Sequence, residues 1–125
     1  MHAPTLTRMA AWLVLAATPV AMAQSAPTPS PWPVAGQQGL VRYVIVPAEQ
    51  ARDEAAYARQ LALLCEPERT CFVNFYTNST GAPLGVPLPD AIEHEATAVF
   101  RQSVKRGAAT LRWSCRMQIA TETCF

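Results

Sequence analysis

Three short stretches of the chain have the residue pattern of β-strands. Leu40–Val46 is rich in β-branched and aromatic residues and stops at Pro47, and Thr70–Thr77 has the same character. Thr110–Met117 alternates apolar and polar residues, the period of a strand with one buried face. We therefore expect three strands, each too short to be a stable helix.

The apolar period changes to three or four residues in the two longer intervals. In Ala48–Cys65, alanine and leucine occupy one side and charged residues the other, which predicts an amphipathic helix. A second helix is predicted from Asp90, because Asp90 and Glu93 fit a capping box. Lys105-Arg106 would lie at its negative end, and Gly107 would supply its C-terminal cap.

The order of these elements is βαβαβ, and Gln118–Phe125 could return as a short fourth strand at the sheet edge. Two helices need a sheet to cover, so we expect a small two-layer α/β sandwich. Both helices would lie on one face of a three- to four-stranded sheet. The first helix would make strands one and two parallel, with a right-handed crossover.

The period of two also separates the two faces of the sheet. The face expected to meet the helices consists of Val41, Tyr43, Ile45, Val73, Phe75, Leu111, Trp113, Cys115 and Met117. The face expected to point outward consists of Arg42, Val44, Val46, Phe72, Asn74, Tyr76, Arg112, Ser114 and Arg116. Tyrosine and arginine are favoured at interfaces, so the second set is a candidate binding surface, the alternative being a solvated sheet face. Its candidate binding residues are Arg42, Asn74, Tyr76, Arg112 and Arg116.

The first 23 residues have the pattern of an export signal. Arg8 precedes an apolar run, Met9–Val20, and the small residues Ala21-Met22-Ala23 follow, which predicts cleavage before Gln24. A 12-residue helix covers about 18 Å, less than the roughly 30 Å of a bilayer core. An uncleaved N-terminal anchor is the alternative. After cleavage we expect no membrane span.

Residues 24–38 are rich in proline, serine and glycine, with proline at every second position from 27 to 33. Such a run favours an extended polyproline II backbone, so we expect a flexible tether before a single domain over Gly39–Phe125. Trp32 could make this tether a ligand for an aromatic groove. We favour the simpler interpretation, a spacer.

Four cysteines lie in the mature part: Cys65, Cys71, Cys115 and Cys124. An even count in a short exported chain indicates disulfides, whereas zinc sites need closer cysteine pairs or several histidines. There is no Cys-x-x-Cys redox motif. Of the three connectivities, we favour Cys65–Cys71 with Cys115–Cys124, because the polar, proline-containing loop Glu66–Thr70 brings its two ends together. The other two pairings stay open.

No motif for catalysis or cofactor binding is evident. On a helix Glu93-His94-Glu95 would point in three directions, so we expect an exposed His94 and no metal site. The sequence contains no Gly-x-Ser-x-Gly, no phosphate loop and no dinucleotide glycine pattern, so we expect neither cofactor nor enzyme. Asn78-Ser-Thr80 matches a glycosylation sequon, a triplet that is common by chance.

The charge balance limits the classes of partner that the protein is expected to bind. Without Arg8, nine Lys/Arg balance nine Asp/Glu, so no global field would collect nucleic acid or anionic lipid. We therefore expect an exported, periplasmic or secreted, non-catalytic domain that binds another envelope or secreted protein, as an inhibitor, immunity-like protein or accessory factor. The alternatives are a carrier of a small ligand or ion, and a small secreted hydrolase.

Overall fold

The computed structural model describes residues 2–5, 11–19, 30–119 and 122–125, and shows a small α+β fold around one mixed sheet. Its strands are β1 (Val34–Gln38), β2 (Val41–Ile45), β3 (Cys71–Tyr76), β4 (Ala96–Ser103) and β5 (Ala108–Trp113). Its α-helices are α1 (Glu54–Leu64) and α2 (Asp90–Glu93), with 3₁₀ turns at Ala48–Gln50 and Cys115–Met117. The five strands lie side by side in chain order, more than the three to four predicted.

The unit β2–α1–β3 is the part of the fold that the sequence pattern predicted best. β2 and β3 pair in parallel across the α1 crossover, and every other neighbouring pair of strands is antiparallel. The helix is shorter than predicted, because Asp53 caps it by accepting a 3.1 Å hydrogen bond from the Ala56 N–H. No helix of the described residues is long and apolar enough to cross a membrane.

The second predicted helix is wrong beyond its first turn, and the capping box does not form, because Pro89 and not Asp90 is the N-cap. α2 ends at Glu93, and Ala96–Ser103 forms β4, which pairs with both β3 and β5. In this segment Ala98 and Phe100 satisfy an alternating pattern as well as a helical one, and both are buried. Because β3 and β5 pair with the segment on its two sides, it forms a strand and not a helix. Gly107, predicted as a helix cap, lies in the β4–β5 turn with a φ of +59°.

The predicted tether is also wrong over its described part, residues 30–38. The Trp32 ring is buried in the core, and its indole Nε1–H donates to Gln50 Oε1 at 2.8 Å. The Trp32 backbone N–H donates to Gln60 Oε1 at 2.9 Å. β1 follows at once and adds an antiparallel edge to β2. Residues 24–29 lie outside the described part of the chain. Within that part, the fold begins near residue 30 and not at Gly39.

Tyr57 of α1 stands at the centre of the core between the helix and the sheet. Its ring meets those of Trp32, Phe75 and Trp113 edge to face, with centroids 5.1, 4.9 and 4.6 Å away. Its hydroxyl donates to the Ala51 carbonyl at 2.8 Å and accepts a hydrogen bond from the Thr97 hydroxyl at 2.9 Å. Burial, opposed by the hydrogen bond from Thr97, raises the pKa of Tyr57 to about 12. The hydroxyl therefore stays neutral in the core across the physiological pH range.

Both disulfides join neighbouring parts of the chain. Cys65–Cys71 links the end of α1 to the start of β3, and Cys115–Cys124 links the turn after β5 to the C-terminus. This is the local pairing that the turn chemistry favoured. The predicted edge strand over Gln118–Phe125 is absent from residues 118–119 and 122–125. Residues 120 and 121 lie outside the described part.

The side chains of β2 point to the opposite faces of the sheet from those predicted. Val44 and Val46 are buried in the core, whereas Tyr43 is half-buried on the other side. Arg42 therefore shares the inner face with Val44, next to Val73 of β3. Both faces of β2 are apolar, so alternation alone could not orient it. The β3 assignment is right, and so is that of β5 up to Trp113, since Val73, Phe75 and Trp113 are buried. Beyond Trp113 the strand has ended, so Ser114 is buried and Cys115 exposed, the reverse of the prediction.

Candidate functional site

The sheet surface opposite α1 is built from two rows of paired residues. One row runs from Tyr43 through Asn74 and Val99 to Arg112. The other runs from Val41 through Phe72 and Arg101 to Thr110. We call this surface the outer face. It comprises Val41, Tyr43, Phe72, Asn74, Val99, Arg101, Thr110 and Arg112, together with Tyr76, which pairs with Ile45 beyond the two rows.

The aromatic residues of the outer face are only partly covered. Tyr43, Phe72 and Tyr76 are each half-buried, and the two tyrosine rings lie 6.0 Å apart, tilted by 54°. The Tyr43 hydroxyl donates to Gln38 Oε1 at 3.0 Å. Burial raises the pKa of Tyr76, against the hydrogen bond from Asn74, so its hydroxyl is neutral. A partly exposed aromatic cluster of this kind is typical of interaction surfaces.

Asn74 lies between these tyrosines with one polar atom unused. Its Nδ2 donates to the Tyr76 hydroxyl oxygen at 3.3 Å. Its Oδ1 is buried and accepts no hydrogen bond within the part of the chain that the structure describes. A buried acceptor without a partner costs roughly 1–3 kcal/mol. A donor supplied by a bound molecule would remove this cost.

Positive charge is concentrated on the outer face. The five strands contain three arginines and no Asp or Glu, and two of the three, Arg101 and Arg112, point outward. The Arg101 guanidinium donates to the Phe100 carbonyl at 2.8 Å and lies 5.3 Å from the centre of the Phe72 ring. The Arg112 guanidinium donates to the Thr123 carbonyl at 3.1 Å, so each arginine has donors left for a partner. Lys105-Arg106 in the β4–β5 turn extend the charge. The part of the outer face formed by β4, β5 and the turn between them is therefore basic.

The loop after β3 covers one end of the outer face. A Cβ at Gly36 of β1 would lie 2.7 Å from Val86 Cγ2, so the loop packs closely on the β1 end. The opposite end, over β3 to β5, holds an open cavity of about 430 Å³. Its lining residues are Phe72, Arg101, Ser103, Arg106, Ala108 and Thr110.

Three of the five candidate binding residues, Asn74, Tyr76 and Arg112, lie on the outer face. The other two do not. Arg42 is on the inner face, where its Nη1 donates to the Leu64 carbonyl at 2.7 Å and holds the end of α1. Arg116 lies in the 3₁₀ turn beyond β5 and binds the Ala96 carbonyl at 2.7 Å.

Arg101 is the residue that sequence reasoning missed. Its segment was predicted as a helix, so no sheet face was assigned to it. The β-branched and aromatic residues Thr97, Val99 and Phe100 were the signal that could have placed Arg101 on a strand. Arg101 would then fall on the same face as Val99.

A second cavity, also about 430 Å³, lies at the carboxyl ends of β2 and β3. Glu95 lines it and accepts hydrogen bonds from Ser79 N at 2.9 Å and Thr77 Oγ1 at 3.2 Å. Burial acts to raise the pKa of Glu95, but these hydrogen bonds outweigh it and lower the pKa. Arg116 binds the backbone carbonyl of Glu95 from the same side. The Glu95 carboxylate and the Arg116 guanidinium thus both form hydrogen bonds within the protein.

The sequon Asn78-Ser-Thr80 stabilises local structure, and the triplet Glu93-His94-Glu95 provides no metal site. The Asn78 side chain closes a turn, donating to the Ala82 carbonyl at 2.9 Å and accepting from the Ala82 N–H at 3.0 Å. His94 is exposed. Among the described residues no group of three or more His, Cys, Asp or Glu side chains is placed to hold a metal ion.

Comparisons with protein-family models, with curated proteins and with solved structures found no match. The outer face is the surface on which apolar area, an unpaired acceptor and two arginines occur together, with the Glu93 carboxylate near Tyr76 at one end.

Proposed function

We propose that this protein is an exported, disulfide-stabilised domain that binds another protein of the cell envelope or extracellular space, without catalysing a reaction. The observation that carries the proposal is the unpaired Asn74 Oδ1 between the half-buried rings of Tyr43 and Tyr76. Because this oxygen is closed off from solvent, a partner's N–H or O–H would reach it by displacing a neighbouring ring, and would then gain a hydrogen bond and cover the exposed apolar area. Inhibitor, immunity-like and accessory roles all fit such a surface.

Export is supported by the leader and by the two disulfides, which suit an oxidising compartment. Within the leader, Trp12 and Leu15 are about 90% exposed and so contribute nothing to the core. Cleavage would leave the packing of the domain unchanged. Periplasmic and secreted locations are both consistent with this chemistry.

Charge supports a partner with an acidic surface. Arg101 and Arg112 face outward, and no carboxylate lies on the strands to neutralise them. Complementary charge accelerates association and disfavours wrong partners. Aromatic rings beside arginine supply the anchors that dominate binding energy at interfaces.

Site-specific photo-crosslinking in the cells that produce the protein tests this proposal. A photoreactive residue at exposed Thr110 on the outer face should trap a partner, and one at exposed Ala62 on the far side of α1 should not. Arg101→Glu should abolish the Thr110 crosslink, and Arg59→Glu, an exposed change on α1, should keep it. Crosslinks from Ala62 alone, or equally from both positions, would contradict the outer face as the binding surface.

A carrier of a small ligand or ion is the second candidate function. The cavity beside Thr77, Ser79 and Glu95 favours it, because ligands often bind at the carboxyl ends of parallel strands. A thermal-shift screen of small metabolites decides between the two functions. A ligand that raises Tm in the wild type but not in Arg116→Ala would favour a carrier.

A further inference from the structure

The outer edge of β5 has backbone groups that are free to bind another strand. β5 is the last strand of the sheet, so β4 occupies only one of its sides. The Ser114 N–H points toward β4, where it donates to the Thr97 carbonyl at 2.8 Å. Backbone groups alternate in direction along a strand, so Ala109 and Leu111 direct theirs away from β4.

The protein's own C-terminus already pairs with this edge. The Phe125 N–H donates to the Trp113 carbonyl at 3.1 Å, and the Cys115 N–H donates to the Phe125 carbonyl at 2.8 Å. The two bonds flank Ser114, which is the pattern of a single parallel bridge. They also show that odd-numbered residues of β5 point outward, in agreement with the Ser114 bond toward β4.

Beyond this one-residue bridge, no residue of the described ranges pairs with the edge. Ala108, Ala109 and Thr110 are exposed. Within residues 30–119 and 122–125, no backbone hydrogen bond joins Ala109 or Leu111 to anything outside the sheet. An exposed edge strand is a template for strand addition.

The charges beside this edge indicate what kind of strand it would accept. Thr110 and Arg112 of β5 project onto the outer face, and Arg101 lies one strand further in, opposite Thr110. Lys105-Arg106 add two charges at the turn. Like charges on paired strands repel, which disfavours a second copy of this chain at the edge. A strand with Asp or Glu at alternate positions would be complementary.

We propose that the partner adds an acidic, extended segment to the β5 edge as a sixth strand. Its main chain would bond to Ala109 and Leu111, and its alternate carboxylates would lie over Arg101 and Arg112. One carboxylate would enter the cavity between Arg101 and Arg106. This inference rests on the proposed function, because it specifies how a protein partner would bind at the outer face.

A peptide titration followed by NMR tests this mode. The probe is an end-blocked octapeptide of alternating Glu and Val, and its control replaces Glu by Lys. We expect the Glu peptide to shift the amides of Ala109 and Leu111 and protect them from exchange, and the Lys peptide to bind about tenfold more weakly or not at all.

A matched pair of variants isolates the backbone contribution. Ala109→Pro removes an N–H that points away from β4, so it should weaken Glu-peptide binding about tenfold and keep the sheet intact. Ala109→Ser keeps the N–H and should bind as the wild type does. If Ala109→Pro fails to fold, a Glu peptide N-methylated at alternate residues replaces it, and this peptide should not bind the wild type.

Several results would overturn the strand-addition mode. These are no binding of the Glu peptide at millimolar concentration, equal binding of the Lys peptide, or shifts centred elsewhere. Equal competition by a single-stranded oligonucleotide would mean that the patch accepts any polyanion. Dimerisation of the protein alone, with the Ala109 amide protected, would make a second copy the occupant. A partner crosslinked at Thr110 without any peptide binding would leave the proposed function standing and remove only this mode.

Discussion

Tyr57 contacts aromatic rings from three separate parts of the chain, and it depends on all of them for its position. Trp32 precedes the sheet, Phe75 lies in β3 and Trp113 ends β5. Edge-to-face aromatic pairs each contribute about 0.5–1.5 kcal/mol beyond the area they bury. One helix residue thus ties together the two ends and the middle of the domain.

Replacing Trp113 should unfold the protein, whereas replacing Tyr76 should not. Trp113→Ala removes a buried ring from the Tyr57 cluster and should cost about 3–5 kcal/mol, a large fraction of the stability of so small a domain. Tyr76→Ala acts on the half-buried outer face and should cost about 1 kcal/mol or less. Urea unfolding measures both. Comparable losses in the two variants would show that the outer face is part of the core.

At the scale of single elements, the carboxylate of Glu95 connects the loop after β3 to the start of β4. It accepts two hydrogen bonds from Ser79 N and Thr77 Oγ1, at 2.9 and 3.2 Å. Because they stabilise the charged form, the folded-state pKa lies below its ordinary value of 4.5. The contribution to stability is therefore complete above pH 4.5 and is lost as the pH falls through the lower, folded-state pKa.

This linkage predicts how Glu95→Gln responds to pH. The variant cannot ionise, so at neutral pH its Tm should be lower than that of the wild type. The difference should shrink as the pH is lowered below 4.5, when the wild-type carboxyl becomes protonated. Thermal unfolding, followed by circular dichroism between about pH 3 and about pH 7, measures this difference in Tm. Exposed Glu54→Gln on α1 serves as the control, and an equal effect there would contradict the role of Glu95.

Some of the five strands can be predicted from their own residues, and others cannot. β2, β3 and β5 could be predicted because β-branched and aromatic residues, or a clear alternation, leave no competing helix. β4 could not, since alanine-rich Ala96–Phe100 fits both periods and follows a genuine helix start at Asp90. β1 is short, rich in glycine and glutamine, and comes directly after a proline run. Only its pairing with β2 makes it a strand.

The candidate site was predictable to the same degree as the strands that carry it. Asn74, Tyr76 and Arg112 lie on strands whose facing was predicted correctly. Arg42 was misplaced because β2 is apolar on both faces, and Arg101 was missed with β4. The unpaired Oδ1 of Asn74 depends on three-dimensional neighbours and has no signature in the sequence.

At the scale of the whole molecule, the first prediction concerns the N-terminal segment, which we expect to be removed on export. We expect mass spectrometry of the exported protein to show Gln24, or its cyclised pyroglutamate form, at the N-terminus, because Ala21-Met22-Ala23 fits a cleavage site. Substituting Ala23 with a bulky residue should block cleavage and keep the chain in the membrane fraction. Finding wild-type chains that still begin at Met1 in that fraction would favour the anchor alternative.

The order of strands has a consequence for how the chain folds. Each strand pairs with its neighbour in sequence, but the β2–β3 and β3–β4 pairings join residues 20 to 31 positions apart, such as Tyr76 with Ala96 and Val41 with Phe72. Folding rates rise as contacting residues come closer in sequence, so we expect the β1–β2 and β4–β5 hairpins to form before the two wider pairings. The step of longest range is the arrival of Trp113 at Tyr57. A chain that crosses a membrane from its N-terminus could therefore assemble four strands in turn, and close its core only when the last strand emerges.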